Sequence, residues 1–485
     1  MSKFTKKEIT KKSENISEWY SDVILKAELA DYAPVKGTMV IRPYGYAIWE
    51  KVQEVFNAMI KKRGVQNAYF PLFIPYSLLE KEKEHIEGFS PQLAIVTIGG
   101  GEKLKDPLVI RPTSETIMYA MYSDWIQSWR DLPVLINQWN NVVRWEKRTY
   151  LFLRTTEFLW QEGHTAHEDE AGAIDMATGA LEWYRKIYEE YFAMSVYLGT
   201  KSEKEKFAGA KTTYSVEALM PDGKALQGAT SHNLGQNFSK VFDIVFQNRE
   251  GKNDFVWQTS WGLSTRSLGG LFLTHGDDNG LILPPKIAPY QVVIVPILTK
   301  GIDVNKLGNY LVEIRNDLEK AEIRVQFDPN KDFERTESMG RIINKWELKG
   351  IPVRLEIGMK ELNENTITVA RRDTMEKQIV KRSEIVTEIK SLLNKIQDNL
   401  FERSKKFLEE NTHTVFSYEE FKKVMETSRG FIKAFWCEDE KCETKIQEEV
   451  KASIRCLPLN AKVEDGKCIY CGEKATHRWL FAQAY

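Results

Sequence analysis

Residues 155–167 read TTEFLWQEGHTAH. In an extended strand alternate side chains share a face, so Phe158, Trp160, Glu162 and His164 stand together, opposite Leu159 and Gln161. An ordinary half-buried strand separates apolar from polar residues. Here two aromatics, a carboxylate and an imidazole lie on one side, the pattern of a polar pocket wall. Just upstream, PVLINQWNNVVRWE (133–146) alternates in the same way, and the charged turn KRTYLFLR joins the two segments. Strand, turn and strand at this spacing predict an antiparallel pair. Arg144 and Glu146 share a face of the first strand, as do Thr113 and Glu115 in RPTSE. Three such strands would make one polar floor. Buried ion pairing between Arg144 and a carboxylate accounts for the same residues about as well.

Outward from this pair, Ile48, Val52, Val55, Phe56 and Met59 fall at helical spacing, and QNAYFPLFIP (66–75) reads as a buried strand. Residues 91–111 read as a hairpin turning on Gly99, Gly100 and Gly101, and 168–197 as a helix with Met176, Ala180, Trp183, Ile187 and Tyr191 on one side. Further strands are expected at VFDIVF (241–246) and FVWQTSWG (255–262). Strand runs with separate helices and no strict βαβ repeat place residues 1–285 in one α+β domain built on an antiparallel sheet. From 286 to 400 short strands (292–298, 323–328, 353–358, 366–372) alternate with helices such as 304–321, the pattern of a small α/β domain. Its stretch 341–406 carries 15 Lys and Arg against 10 Asp and Glu, a mild basic face that a solvated surface explains as well. Residues 401–485 form a third unit, read as helical to about Glu449, with Cys437 and Cys442 inside the helix.

The 485 residues carry 68 Lys and Arg against 69 Asp and Glu, so bulk charge gives no reason to expect a nucleic-acid partner. No apolar stretch approaches the ~18 to 20 residues of a membrane span, and the first twenty residues lack the apolar core of a secretory signal. All five cysteines lie in the last fifty residues. That placement points to a cytoplasmic protein with a metal module at its end. Cys437-x4-Cys442 and Cys468-x2-Cys471 offer four thiolates in two close pairs, the ligand set of a closed structural zinc site, and leave Cys456 for packing. Two further clusters combine polar groups: Gln227, Thr230 and His232 in QGATSHNLGQNFS, and Ser264 and Arg266 in SWGLSTRSLGG. Arg266, just before a helix, could cover a phosphate or a ring, although an arginine so placed is commonly a surface residue. GGGEK (99–103) lacks the GxxxxGK[ST] spacing of a phosphate loop and reads as a turn.

The helix Ala47–Arg63 with the strand reaching Pro71, the pair bearing Arg144, Glu146 and Arg154, and the GLSTR segment with Arg266 resemble, in order, the three motifs of class II aminoacyl-tRNA synthetases. More narrowly, RPTSE, FLWQEGHT, QGATSHNLGQNFS and the four-cysteine tail are similar to prolyl-tRNA synthetases of the archaeal and eukaryotic type, nearly end to end.

The resemblance implies a class II catalytic domain, an α/β anticodon-binding domain and a small α+β zinc domain. It implies activation of L-proline by ATP, with Mg2+, and transfer to tRNA(Pro) by a homodimer. Arg144 would hold the α-phosphate and the substrate carboxylate, with Arg154 and Arg266 on the outer phosphates and adenine between Arg266 and Phe158. Glu146, Gln227, Thr230 and Ser264 match other nucleotide-contacting positions. The proline pocket would be Thr113, Glu115, Arg144, Trp160, Glu162, His164 and His232, a carboxylate meeting the ammonium and Trp160 covering the ring. Glu347 and Arg354 align with readers of anticodon guanines, as a fork for O6 and N7 and an acceptor for amino protons require.

The bacterial type's editing insertion has no room in the roughly 60 residues between His167 and Gln227, so misactivation of alanine is expected. The ending LFAQAY implies that Tyr485, with its carboxylate, folds back onto the catalytic domain. A tRNA-binding sensor without catalysis should have lost motif residues, which are present. A threonine enzyme should carry a cysteine in its catalytic block, and residues 1–285 have none.

Overall fold

The computed structural model describes residues 9–81, 93–299, 302–334 and 337–485. Its spine is an eleven-stranded sheet. Glu157–His167 lies between Val134–Val143 and Trp257–Ser264, followed outward by Ala225–Gly235, Thr212–Leu219 and Tyr197–Thr200. These pairings are antiparallel, as expected for the α+β domain. The strand Thr212–Leu219 was not legible in the sequence. Helices Pro43–Lys61 and Glu170–Lys186 cover one face, the second capped by Asp169 on the Gly172 amide. Phe56 stacks on Tyr184 there, and the Tyr184 hydroxyl donates to Gln161. Gln161 thus points at the helices and its neighbours Trp160 and Glu162 point away from them, the alternation read from residues 155–167.

Several local expectations are corrected. QNAYFPLFIP is no continuous strand: Gln66–Asn67 joins the large sheet and Phe73–Pro75 a separate three-stranded sheet, because Pro71 between them has no N–H for a ladder. That small sheet contains the expected hairpin, Ala94–Gly99 with Glu102–Ile110; residues 91 and 92 of the reading lie outside the described residues. Thr113 and Glu115 share no strand, since Glu115 opens the helix Glu115–Trp125, where an acidic side chain suits the positive helix end. Arg144 and Glu146 lie just past the end of Val134–Val143. In VFDIVF only Val245 and Phe246 enter a strand; Val241 closes a short helix and Asp243 turns the chain at φ +54°.

The second unit folds as expected, Val325–Gln326, Val292–Pro296 and Val353–Ile357 parallel, then Thr366–Arg371 and the unforeseen Lys377–Lys381 antiparallel, over its own apolar core. The tail is not helical to Glu449. Helix Ile385–Glu410 runs through residue 401, and Thr412–Thr414, helix Tyr418–Glu426, Phe431–Phe435 and helix Glu440–Val450 follow. Gly430, at φ +95° with the Asn411 carbonyl where a Cβ would sit, admits no helix, and FIKAF beyond it has the apolar alternation of a strand. Cys437 therefore lies in a loop, and Cys442 alone is helical. The tail strands extend the large sheet: Leu457 and Pro458 pair with Thr200 and Gly199. Among the described residues no helix is long and apolar enough to cross a membrane.

Candidate active site

On the sheet face away from the helices lies a cavity of about 220 Å³. Thr113, Glu115, Arg144, Trp160, Glu162, His164 and His232, drawn from four places in the sequence, all line it. Glu162 is buried and its carboxylate is filled by the protein. Asn140 Nδ2 donates at 2.6 Å, Gln138 Nε2 at 3.1 Å, the Ser114 amide at 3.2 Å and the Ser114 hydroxyl at closer range. His164 Nε2 lies 2.9 Å from Oε2, the oxygen that also takes the Ser114 amide. Burial opposes a charge on His164, but the Glu115 charge and the Glu162 hydrogen bond outweigh it and raise the pKa above the ordinary 6.5. Thr113 donates to Glu115, and the ligand-type atoms of Glu115, Glu162 and His164 lie within 4.8 Å of one another. His232, stacked on Phe207 and bonded through Nδ1 to Thr213 at 2.9 Å, is pushed down to about 4 by burial.

Arg144 closes this cavity on one side. Its guanidinium stands 5.4 Å from the Trp160 ring and 5.6 Å from that of Phe158, and Nε donates to the Pro112 carbonyl at 3.1 Å. Burial and the nearby charge of Arg266 lower its pKa to about 10, which leaves it a cation at neutral pH.

Gln227 lines this cavity and a second one of about 390 Å³, whose walls include Glu146, Arg154 and Arg266. Arg154 pairs with Glu146 at 2.7 Å, and Arg266 Nε holds the Leu153 carbonyl at 3.0 Å. Thr230 faces the first cavity only. Phe158 and Ser264 line neither: Phe158 backs Arg144, and the Ser264 hydroxyl accepts the Arg266 amide at 3.3 Å. The final segment reaches this second wall. The Tyr485 amide donates to the Ala225 carbonyl at 3.1 Å, and its ring lies beneath Lys224 Nζ.

Sequence reasoning missed Lys201, Phe207 and Thr213 in the first cavity and Arg455 in the second, and passed over Ser260 although it opens the SWGLSTRSLGG segment. Lys201 and Thr213 flank the end of an unread strand, and Arg455 comes from the tail. Ser114, Gln138 and Asn140, which hold Glu162, were equally hidden, although Gln138 and Asn140 alternate on the strand paired with Trp160 and Glu162.

Glu347 and Arg354, which line neither cavity, meet across 3.2 Å, and Arg354 also binds Glu356 at 2.9 Å. The pair is almost wholly buried, not a surface bridge. The four cysteine sulfurs of residues 437, 442, 468 and 471 lie within 4.8 Å of one another, two of them 3.6 Å apart. Zinc–sulfur bonds of ~2.3 Å in a tetrahedron put sulfurs roughly 3.8 Å apart, so the set fits zinc. Cys456 is fully buried and packs against Gly199.

Residues 97–274 match the family described as tRNA synthetase class II core domain (G, H, P, S and T), residues 291–392 the anticodon binding domain, and residues 418–485 prolyl-tRNA synthetase, C-terminal. A proline–tRNA ligase of Natranaerobius thermophilus is 52% identical over 99% of this chain and 98% of its own. Proline–tRNA ligases of Porphyromonas gingivalis and Borreliella burgdorferi are 50% and 49% identical, each covering at least 98% of both chains.

Proposed function

The chain belongs to the prolyl-tRNA synthetases, class II enzymes that ligate proline to tRNA at the expense of ATP, and on that premise we propose how its two cavities divide the work. The 220 Å³ cavity takes L-proline and the 390 Å³ cavity the nucleotide, with Arg144 at the first and Gln227 on both. What carries this reading is the convergence of seven side chains suited to a cyclic amino acid on one cavity. Glu115 and Glu162 supply carboxylates for the secondary ammonium. Trp160 covers the ring, and Arg144 meets the carboxylate.

In the first step a proline carboxylate oxygen attacks the α-phosphorus, the new O–P bond forms, and the bond to the β-phosphate oxygen breaks to release pyrophosphate. Arg144, fixed by the Pro112 carbonyl and two rings, neutralises charge on both partners as they approach. Arg154, held by Glu146, and Arg266 order the outer phosphates; Phe158 backs Arg144 beside the adenine, Ser264 holds the Arg266 amide, and Thr230 meets the nucleotide from the first cavity, where the α-phosphate reaches the proline carboxylate. Mg2+ supplies further neutralisation of the phosphates. The tRNA(Pro) 3′ hydroxyl then attacks the adenylate carbonyl and releases AMP.

We assign Glu347 and Arg354 to anticodon guanines and Cys437, Cys442, Cys468 and Cys471 to a structural zinc, of which elemental analysis should find one equivalent. We divide the chain into a catalytic domain (1–285), an anticodon-binding domain (286–400) and a zinc domain (401–485), the last two joined through the helix Ile385–Glu410. A homodimer formed through the helix Pro43–Lys61 and a cytoplasmic setting, which suits five unpaired cysteines, complete the reading. ATP–pyrophosphate exchange with each of the twenty amino acids tests it. Exchange should be led by proline, with alanine weaker, because a pocket discriminates against missing methylenes by only ~1–3 kcal/mol. Silence with proline would refute the assignment.

A further inference from the structure

Three charges lie buried where the tail meets the catalytic sheet. Lys201 Nζ sits 2.7 Å from one oxygen of Glu217, and Arg455 donates to the other through Nε at 3.0 Å and Nη2 at 2.8 Å. The side chains of all three are at most 5% exposed. Two cations thus share one carboxylate, a net charge of +1 in a place where uncompensated charge is costly. Glu205 acts on Arg455 through space only.

The backbone is shaped for this meeting. The pairing of Thr212–Leu219 with Ala225–Gly235 slips a register between Val216 and Glu217, so that Glu217 faces Gln227 and Gly228 is the extra residue. A Cβ on Gly228 would lie 2.3 Å from the Tyr188 hydroxyl. On the tail side the pairing of Ser453–Pro458 with Arg478–Ala482 slips between Ile454 and Cys456, at Arg455 itself. Bulges re-aim side chains, and two of them here direct a carboxylate and a guanidinium at each other across 238 positions of sequence.

Arg455 also lines the second cavity, whose side chains then comprise the guanidiniums of Arg148, Arg154, Arg266 and Arg455 against the carboxylate of Glu146. We propose that Arg455 is a nucleotide-positioning residue: the tail domain contributes it to the catalytic cavity, where Glu217 holds its fork so that its surplus charge is neutralised by the phosphates of ATP. The catalytic domain alone would then lack one wall of its nucleotide site. The inference rests on placing ATP in the second cavity.

Steady-state pyrophosphate exchange on the full chain tests it through R455M, R455K and, as a control for the cavity, R154A. R455M leaves Glu217 with Lys201 as a one-to-one pair, so the fold should survive, which thermal melting checks; if it does not, R455K carries the test. R455M should raise KM for ATP at least tenfold with KM for proline within twofold, and R455K, which restores charge without the fork, should recover part of the loss. An unchanged KM for ATP in R455M, or equal rises for ATP and proline, would overturn the proposal. If R154A raises KM for ATP while R455M does not, the inference alone fails. If neither does, the placement of the nucleotide fails with it.

Discussion

The two cavities meet at Gln227 yet are built on opposite electrostatic plans. In the smaller one the carboxylates are held by protein groups before any ligand arrives: Glu162 accepts from Ser114, Gln138, Asn140 and His164, and Glu115 from Thr113. In the larger one four guanidiniums face one carboxylate among the lining side chains. A satisfied network holds a fixed shape and selects by fit, whereas a surplus of one charge draws a polyanion and tolerates variation in how it sits. Selectivity for the amino acid and affinity for the nucleotide are therefore separable in this protein.

The largest effect should come from Arg144, which serves both plans. R144A should lower the exchange rate by roughly 10²–10³-fold, about 3–4 kcal/mol, the range for losing one preorganised group at developing charge; a loss under tenfold would place the reacting atoms elsewhere. Next, E162Q turns an amide NH2 toward donor-only groups whichever way it lies, the Gln138 and Asn140 amides on one side or the Ser114 backbone amide on the other. Each buried group left without a partner costs ~1–3 kcal/mol. The melting temperature should drop and KM for proline rise at least tenfold, with KM for ATP nearly unmoved. A matching rise for ATP would merge the two cavities into one.

The smallest effect lies in pH. Burial holds His232 and His167 near pKa 4, while their unfolded value is about 6.5. Between pH 6.5 and 4 the unfolded chain binds protons that the folded chain refuses, so stability falls as pH falls through that window. His164 works the other way: its raised pKa stabilises below 6.5, and that gain is lost as pH rises through the folded value. His232→Asn, which removes one of the depressed groups, should flatten the decline in melting temperature between pH 6.5 and 4. An unchanged profile would mean that His232 is protonated in the fold.

What could be read from the chain follows from the range of the interactions. The alternation of residues 157–167 is a property of one strand, so the pocket wall was visible, and the spacing of four cysteines told of their meeting although only Cys442 is helical. Thr113 and Glu115 line the same cavity as the residues grouped with them but on another element, because the resemblance placed the residues and the period-two reading did not see a helix starting after Pro112 and Ser114. Lys201, Glu217 and Arg455 left no trace. The Glu217–Arg455 pairing spans more than two hundred residues and depends on two register slips that no local pattern announces. The tail was misread because its polar, lysine-rich segments resemble helix surface, while its strands are short and hidden between them.

The division of labour is tested most directly by measuring KM for proline and for ATP in W160A and R154A. Trp160 lines only the smaller cavity and Arg154 only the larger. Trp160 is half-buried until a ring covers it, and losing an apolar contact of that size costs ~1.5–3 kcal/mol, so W160A should raise KM for proline by roughly 10- to 100-fold with that for ATP within twofold. Arg154, about half exposed and paired with Glu146, should when removed raise KM for ATP several-fold and leave proline unchanged. Parallel rises in both constants, in either variant, would contradict a two-cavity enzyme.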